Sequence, residues 1–194
     1  MTRAEFTSLL AAVRQGEAER ILIVFGSSSF FVAYPDAEAK DLGVVLTKDS
    51  DLLLDPDDIV CRQDLDALFG ADSIYARAGI HADFVDLRIS QSFPPGWRER
   101  LIAVAELDRV FALEPHDAAA AKLLATAASR LDRRMGRSVV DRGLKDIAVV
   151  SRLAVLGMLD LEKVRRRLRS HDDLPPALMV EVFQAFREAG GQAA

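Results

Sequence analysis

Two aspartates, Asp49 and Asp51, are separated by one residue, and their spacing is the one in this chain best suited to a metal-binding or catalytic site. They lie in the segment Leu46 to Leu54, LTKDSDLLL, whose alternation predicts a strand with both carboxylates on one face. Carboxylates held side by side repel each other by roughly a few kcal/mol, and a divalent cation removes that conflict. Magnesium prefers oxygen ligands, so the pair predicts a magnesium site, with manganese as an alternative ion. A solvated strand edge is the other interpretation.

A third carboxylate from a neighbouring strand would complete such a site. The segment Ile80 to Ile89, IHADFVDLRI, predicts that strand, and we expect Asp86, between apolar Val85 and Leu87, to be the third ligand. Asp83 is the competitor, although a regular strand turns residues three apart to opposite faces. A salt bridge from Asp86 to a nearby arginine stays open as an alternative.

A turn of small residues is the second feature of the sequence, and it is suited to binding a phosphate group. The apolar run Ile21 to Phe25 predicts a buried strand, and Gly26, Ser27 and Ser28 follow it before a short helix that Pro35 ends. Glycine lets the backbone approach a phosphate closely, and the N-terminus of a helix favours an anion. We therefore expect Gly26, Ser27 and Ser28 to contact the outer phosphates of a nucleotide, the alternative being a plain turn and helix cap.

The remaining elements predict an α+β fold, a mixed sheet flanked by helices and followed by a helical C-terminal part. We expect a core domain at 1–113 and a helical part at 114–194. Helices are predicted at Thr2–Gly16, from Asp57 or Asp58 to Phe69, briefly at Trp97, and then in four stripes from Asp117 onward; an edge strand is predicted at Val110–Leu113. Within the first of the four stripes, Lys122 lies off the apolar face, where it either reaches a triphosphate or is solvated.

Charge is distributed unevenly along the chain, whose formal net charge is −5. Segment 36–72 holds eleven acidic residues against three basic ones, whereas segment 130–169 holds twelve basic residues against five acidic ones. The acidic segment is suited to binding cations, and the basic segment is suited to binding phosphate groups. No apolar run is long enough to span a bilayer, and the single Cys61 has no partner for a disulfide or a zinc site. We expect a cytoplasmic protein that does not enter membranes.

The order of these segments resembles the polymerase-β-like nucleotidyltransferases. The order in that family is an apolar strand, then Gly-Ser, then Asp-x-Asp, then an aspartate in a later strand. The segments FGSSS, TKDSDLL and FVDLR of this chain follow that order. Further along, PPGWRERL, EPHDAAAAKLLA and RGLKDIAVVSRL resemble the bacterial nucleotidyltransferases related to type IV toxin–antitoxin partners. The resemblance covers roughly Ile21 to Leu168. The arginine that follows Gly-Ser in better-known members is absent here.

What the resemblance implies is a magnesium-dependent transfer of a nucleoside monophosphate from a nucleoside triphosphate to an acceptor hydroxyl of RNA or protein, with release of pyrophosphate. Asp49, Asp51 and Asp86 would be the metal-binding and catalytic carboxylates, and Asp86 would help to activate the acceptor. Gly26, Ser27, Ser28 and Lys122 would bind the nucleotide. The alternative is an inactive nucleotidyltransferase fold, or an antitoxin-like partner, whose basic helices contact RNA or protein.

Overall fold

A computed structural model describes residues 1–37, 42, 49–76, 79–137 and 143–192. The chain divides into two compact units, the first formed by 1–90 with 98–114 and the second by 91–97 with 115–194. The boundary between the main segments falls after Glu114, beside the division that we expected after Leu113. Residues 91–97 belong to the second unit although they precede the last strands of the first.

The first unit contains a five-stranded mixed sheet, and the fold is α+β as predicted. Its strands are β1 (Ile21–Val24), β2 (Asp49–Asp55), β3 (His81–Phe84), β4 (Ile102–Ala103) and β5 (Val110–Ala112), in the order β3-β2-β1-β5-β4. β1 is parallel to β5 and antiparallel to β2, β2 is parallel to β3, and β4 is antiparallel to β5. The apolar runs of β1 and β2 form the centre of the core, because Leu22 to Val24 and Leu52 to Leu54 are buried.

In the described part of the first unit, three α-helices accompany this sheet: α1 (Arg3–Gly16), α2 (Ser29–Ala33) and α3 (Ile59–Phe69). The predicted capping box opens α1, and the apolar positions of that helix are buried. Asp58 caps α3 by accepting the N–H groups of Val60 and Cys61 at 2.9 and 3.1 Å. The helices that the apolar spacing and the capping residues predicted here, α1 and α3, are therefore confirmed.

Polar side chains join the end of α1 to the start of α3. Glu17 accepts hydrogen bonds from the Cys61 thiol at 3.0 Å and the Arg20 guanidinium at 2.8 Å, and Arg20 also pairs with Asp58 at 2.8 Å. Burial by itself would raise the pKa of Glu17, but the donors from Cys61, Arg20 and the Glu19 backbone outweigh it and hold the pKa at about 2. Burial beside this carboxylate raises the pKa of the Cys61 thiol to about 11.

Two predicted strands differ from those of the structure. The strand expected at Ile80–Ile89 ends at Phe84, and a 3₁₀ helix occupies Leu87–Ser92. β5 is not an edge strand, because the two-residue β4 lies outside it. In the strand predicted at Leu46–Leu54, residues 46–48 lie outside the described part of the chain.

The second unit is helical, as predicted, with α4 (Pro115–Arg134), α5 (Gly143–Val155), α6 (Leu161–Arg169) and α7 (Pro176–Glu188). The long α4 packs against each of the other three helices and buries an alanine and leucine face. The predicted start of α5 at Val139 lies outside the described residues. None of the described helices combines the length and apolarity needed to cross a membrane.

Candidate metal centre

The alternation of β2 gives its two aspartates a common face. Asp49 and Asp51 are partly exposed, whereas the intervening Ser50 is buried. Every second side chain of a strand points to the same side of the sheet. The predicted common face of Asp49 and Asp51 is therefore confirmed.

Asp83 is the third carboxylate of this face, so the choice of Asp86 was wrong. β2 and β3 run parallel with Asp51 opposite Asp83 and Asp49 opposite His81. One carboxylate oxygen from each of Asp49, Asp51 and Asp83 lies within 4.8 Å of the other two. We call these three residues the carboxylate trio.

Asp86 is instead held in ion pairs beyond the end of β3. Its carboxylate accepts the side chain of Arg88 at 2.9 and 3.0 Å and the backbone N–H of the same residue at 2.8 Å. Arg62 approaches it at 3.4 Å and also pairs with Asp57 at 2.8 Å. The Arg88 hydrogen bonds lower the pKa of Asp86 to about 2. The salt-bridge alternative from the sequence is thus the one that the structure supports.

Gly26 lies directly against Asp51, one member of the carboxylate trio. Its φ of +66° is a left-handed conformation that favours glycine. A Cβ atom at this position would overlap the carboxylate of Asp51. The backbone of the turn is joined to the same residue, because the Phe25 N–H donates to the Asp51 carbonyl at 3.0 Å. The turn after β1 and the aspartates of β2 therefore form one local structure.

The serines of this turn have different surroundings. Ser28 is fully buried; its hydroxyl donates to the Phe25 carbonyl at 3.2 Å and accepts the Ser50 hydroxyl at 3.1 Å. Ser29 donates to the Gly26 carbonyl at 2.8 Å. The predicted phosphate contact of Ser28 is therefore wrong, because its hydroxyl is used inside the core. Ser27 is 6% exposed, and the helix that follows is only five residues long.

His81 was missed as a neighbour of the site. Its Nε2 lies 3.5 Å from an oxygen of Asp83, and its backbone is opposite Asp49. The signal available in the sequence was its spacing of two residues from Asp83 in HADF, which places both on one strand face. An imidazole beside a carboxylate can orient it for a ligand.

Lys122 does not have the surroundings expected of a nucleotide ligand or of a solvated lysine. Its ammonium lies 2.8 Å from Asp146, and the two side chains are 10% and 11% exposed. The pair joins α4 to α5 inside the second unit. Lys122 is therefore a structural ion-pair partner in this unit.

Several arginines of the basic segment are likewise paired within the second unit. Ion pairs join Arg134 to Glu181, Arg137 to Asp132, Arg165 to Glu162 and Arg167 to Asp117. Asp117 and Glu181 are buried, and a buried carboxylate needs such a partner. Part of the positive charge that suggested an RNA surface is thus neutralised by the unit's own acids.

No family model matches the chain, and neither a curated protein nor a solved structure matches it.

Proposed function

We propose that the first unit is a magnesium-dependent nucleotidyltransferase, which moves a nucleoside monophosphate from a nucleoside triphosphate to an acceptor hydroxyl. The observation that carries this proposal is the carboxylate trio, Asp49, Asp51 and Asp83, together with the glycine turn that touches Asp51. Three oxygen ligands from two adjacent strands, with a close backbone approach beside them, suit a triphosphate bound through a cation.

The trio fits magnesium in both chemistry and spacing. Magnesium takes oxygen ligands at about 2 Å in an octahedron, so oxygens around one ion lie roughly 3 to 4 Å apart. The trio's oxygens lie within 4.8 Å of one another, and small side-chain rotations would bring them to that range. When bound, the ion would neutralise phosphate charge in the transferring group. Manganese would use the same ligands.

The chain's own residues would then take three roles. Asp49, Asp51 and Asp83 would hold the cation, and the backbone of Gly26 and Ser27 would face the outer phosphates. Asp83 would in addition help to activate the acceptor, the role that the sequence analysis gave to Asp86. As the acceptor oxygen bonds to the α-phosphorus, the bond to the bridging oxygen breaks, pyrophosphate leaves and the acceptor proton passes to the Asp83 carboxylate.

Turnover of labelled nucleotide tests the proposal. The full chain would be incubated with each α-labelled triphosphate, magnesium, and either RNA or a protein extract as acceptor, and pyrophosphate and labelled macromolecule would be measured. We expect both products, and expect Asp51→Asn to remove them. Asp64→Asn is the matched control, because it removes the same charge from an exposed position of α3.

The outcome also separates the catalytic proposal from the alternative of a binding module. A protein that binds polynucleotide with a steep salt dependence but releases no pyrophosphate with any triphosphate would be such a module. Equal turnover by Asp51→Asn and the wild type would remove the trio from the proposal.

A further inference from the structure

His81 lies beside the carboxylate trio and offers a donor of a different kind. In the parallel pairing of β2 with β3, His81 is opposite Asp49. Two residues further along, Asp83 is opposite Asp51. Ala82 is buried between two partly exposed residues, so His81 and Asp83 share one face of the sheet. Three carboxylates and one imidazole therefore occupy neighbouring positions on the same face of two adjacent strands.

The distance between His81 and Asp83 suits two ligands of one ion. The imidazole Nε2 lies 3.5 Å from a carboxylate oxygen of Asp83. An ordinary N–H···O hydrogen bond is shorter, at about 2.7–3.2 Å. Neighbouring ligand atoms around one octahedral ion lie roughly 3 to 4 Å apart. A single ion can therefore contact both of these side chains.

The imidazole can turn toward the trio without disturbing the core. The side chain of His81 is 21% exposed, and that of Asp83 is 41% exposed. His81 stands at the edge of the trio, so its nitrogen has to move toward an ion held by the three carboxylates. Rotation about the outer bond of a histidine side chain has a broad range of low-energy angles. The change that ligation requires is therefore a local one.

A nitrogen donor alters which ions such a centre prefers. Magnesium is a hard ion that takes oxygen ligands, and the three carboxylates provide them. Divalent transition ions also accept imidazole, which is their commonest ligand in proteins. Three oxygens and one nitrogen therefore strengthen the binding of a transition ion more than the binding of magnesium.

We propose that His81 is a fourth ligand of the metal centre and makes the centre prefer a divalent transition ion, such as manganese, to magnesium. The proposal rests on the carboxylate site of the proposed function and adds the class of ion that this site holds. A histidine that only oriented Asp83 would assist every ion alike, because all of them use that carboxylate. Removal of the histidine therefore distinguishes a ligand from a positioning residue by its effect on different ions.

Metal titrations of the full chain without nucleotide test the proposal. Binding of Mn²⁺ and Co²⁺ would be measured by calorimetry, and binding of Mg²⁺ by displacement of Mn²⁺. We expect His81→Gln to weaken Mn²⁺ and Co²⁺ binding about 10-fold or more and Mg²⁺ binding less than about 3-fold. His116→Gln is the matched control and should leave all three affinities nearly unchanged. It removes a histidine of the second unit, whose Nε2 accepts the Asp160 N–H at 3.2 Å.

Bound Mn²⁺ also reports its ligands directly. Pulsed electron paramagnetic resonance of the Mn²⁺ complex detects a coordinated nitrogen, and without nucleotide that nitrogen belongs to the protein. We expect a nitrogen signal from the wild type and from His116→Gln, and none from His81→Gln. A histidine that acts only through Asp83 would not produce this difference.

Asp51→Asn separates this proposal from the one on which it rests, because it should abolish binding of every ion at the centre. Suppose that Asp51→Asn abolishes binding, but His81→Gln leaves it unchanged or weakens Mn²⁺ and Mg²⁺ equally. The role of His81 is then overturned, and the carboxylate site of the proposed function stands. A wild type that binds none of the ions overturns both proposals. A nitrogen signal that depends on His81, without nucleotide turnover, supports His81 as a ligand and rejects the transfer reaction.

Discussion

Asp83 and Asp86 belong to one short segment, but their carboxylates have different surroundings. We therefore expect removal of each charge to change the thermal stability of the protein in a different way. Asp83 lies in the carboxylate trio, whereas Asp86 is held by Arg88 and Arg62. With magnesium and a triphosphate present, Asp83→Asn should abolish the ligand-dependent rise in Tm, because ligand binding to the native state is what stabilises it. Asp86→Asn should keep that rise and lower the Tm of the free protein.

The measurement is thermal unfolding of both variants with and without ligand. Each variant is the control for the other, because each loses one carboxylate. A ligand-dependent rise that survives in Asp83→Asn but disappears in Asp86→Asn would reverse the assignment of the third carboxylate.

A second prediction about a single residue concerns Gly26. Any residue with a side chain at this position must adopt a backbone φ of +66° and also displace the carboxylate of Asp51. We expect Gly26→Ala to lower the free energy of unfolding by about 1–3 kcal/mol and to remove the magnesium response. Gly79→Ala is the matched control: Gly79 also has a positive φ, of +85°, but a Cβ atom there would meet no described atom within 4 Å. Urea unfolding of both variants compares them; equal losses, with the magnesium response intact, would mean that contact with Asp51 is unimportant.

At the scale of secondary-structure elements, Glu17 connects the end of α1 to the start of α3, and its ionisation should make that connection sensitive to acid. The pKa of Glu17 is about 2 in the folded protein and about 4.5 when unfolded, so the stabilisation is complete above pH 4.5 and lost as the pH falls toward 2. Glu17→Gln should remove up to about 3 kcal/mol at neutral pH. Denaturant unfolding between pH 2 and 6 would measure it, with exposed Glu19→Gln as the control; the same acid dependence in Glu17→Gln and wild type would contradict the assignment.

The pair of Lys122 and Asp146 makes a prediction about the contact between α4 and α5. Lys122→Met leaves a nearly buried carboxylate without its cation and should cost about 3–5 kcal/mol. Adding Asp146→Leu should recover much of that loss, because the remaining charge is removed as well. The triphosphate-dependent rise in Tm should persist in the double variant, and its disappearance would return Lys122 to a nucleotide-binding role.

The elements that the sequence predicted well are those in which periodicity and caps agree, such as α1, α3 and the four C-terminal helices. β3 was predicted too long because Asp86 competes with the strand: its side chain accepts the Arg88 N–H and its carbonyl accepts the Ile89 N–H, which starts a 3₁₀ turn. β4 has two residues and therefore no periodicity to detect. The choice between Asp83 and Asp86 depended on the register of β3 against β2, which sets Asp83 opposite Asp51 and which neither segment of the sequence shows by itself.

For the molecule as a whole, charge is divided between the two units. The segments of the first unit contain 20 acidic and 11 basic residues, a formal net charge of −9, whereas those of the second contain 10 and 14, a formal net charge of +4. A triphosphate approaching the first unit meets a surface of its own sign. With EDTA present and at about 100 mM salt, where screening extends over about 10 Å, a triphosphate should therefore produce no stabilisation through the carboxylate trio.

Thermal unfolding with triphosphate alone, magnesium alone and both together would measure this requirement. A rise in Tm with triphosphate and EDTA would contradict the requirement for a cation.

The hydrogen bond between Ser28 and Ser50 has a consequence for how this sequence can change. Ser50 is the middle residue of the Asp-Ser-Asp segment, and its hydroxyl meets that of Ser28 at 3.1 Å in the interior, on the side opposite to the two aspartates. Replacing one serine by an apolar residue leaves its partner's buried hydroxyl with fewer hydrogen bonds, whereas replacing both together does not. Positions 28 and 50 should therefore vary in concert among descendants of this gene, although neither serine would touch a substrate.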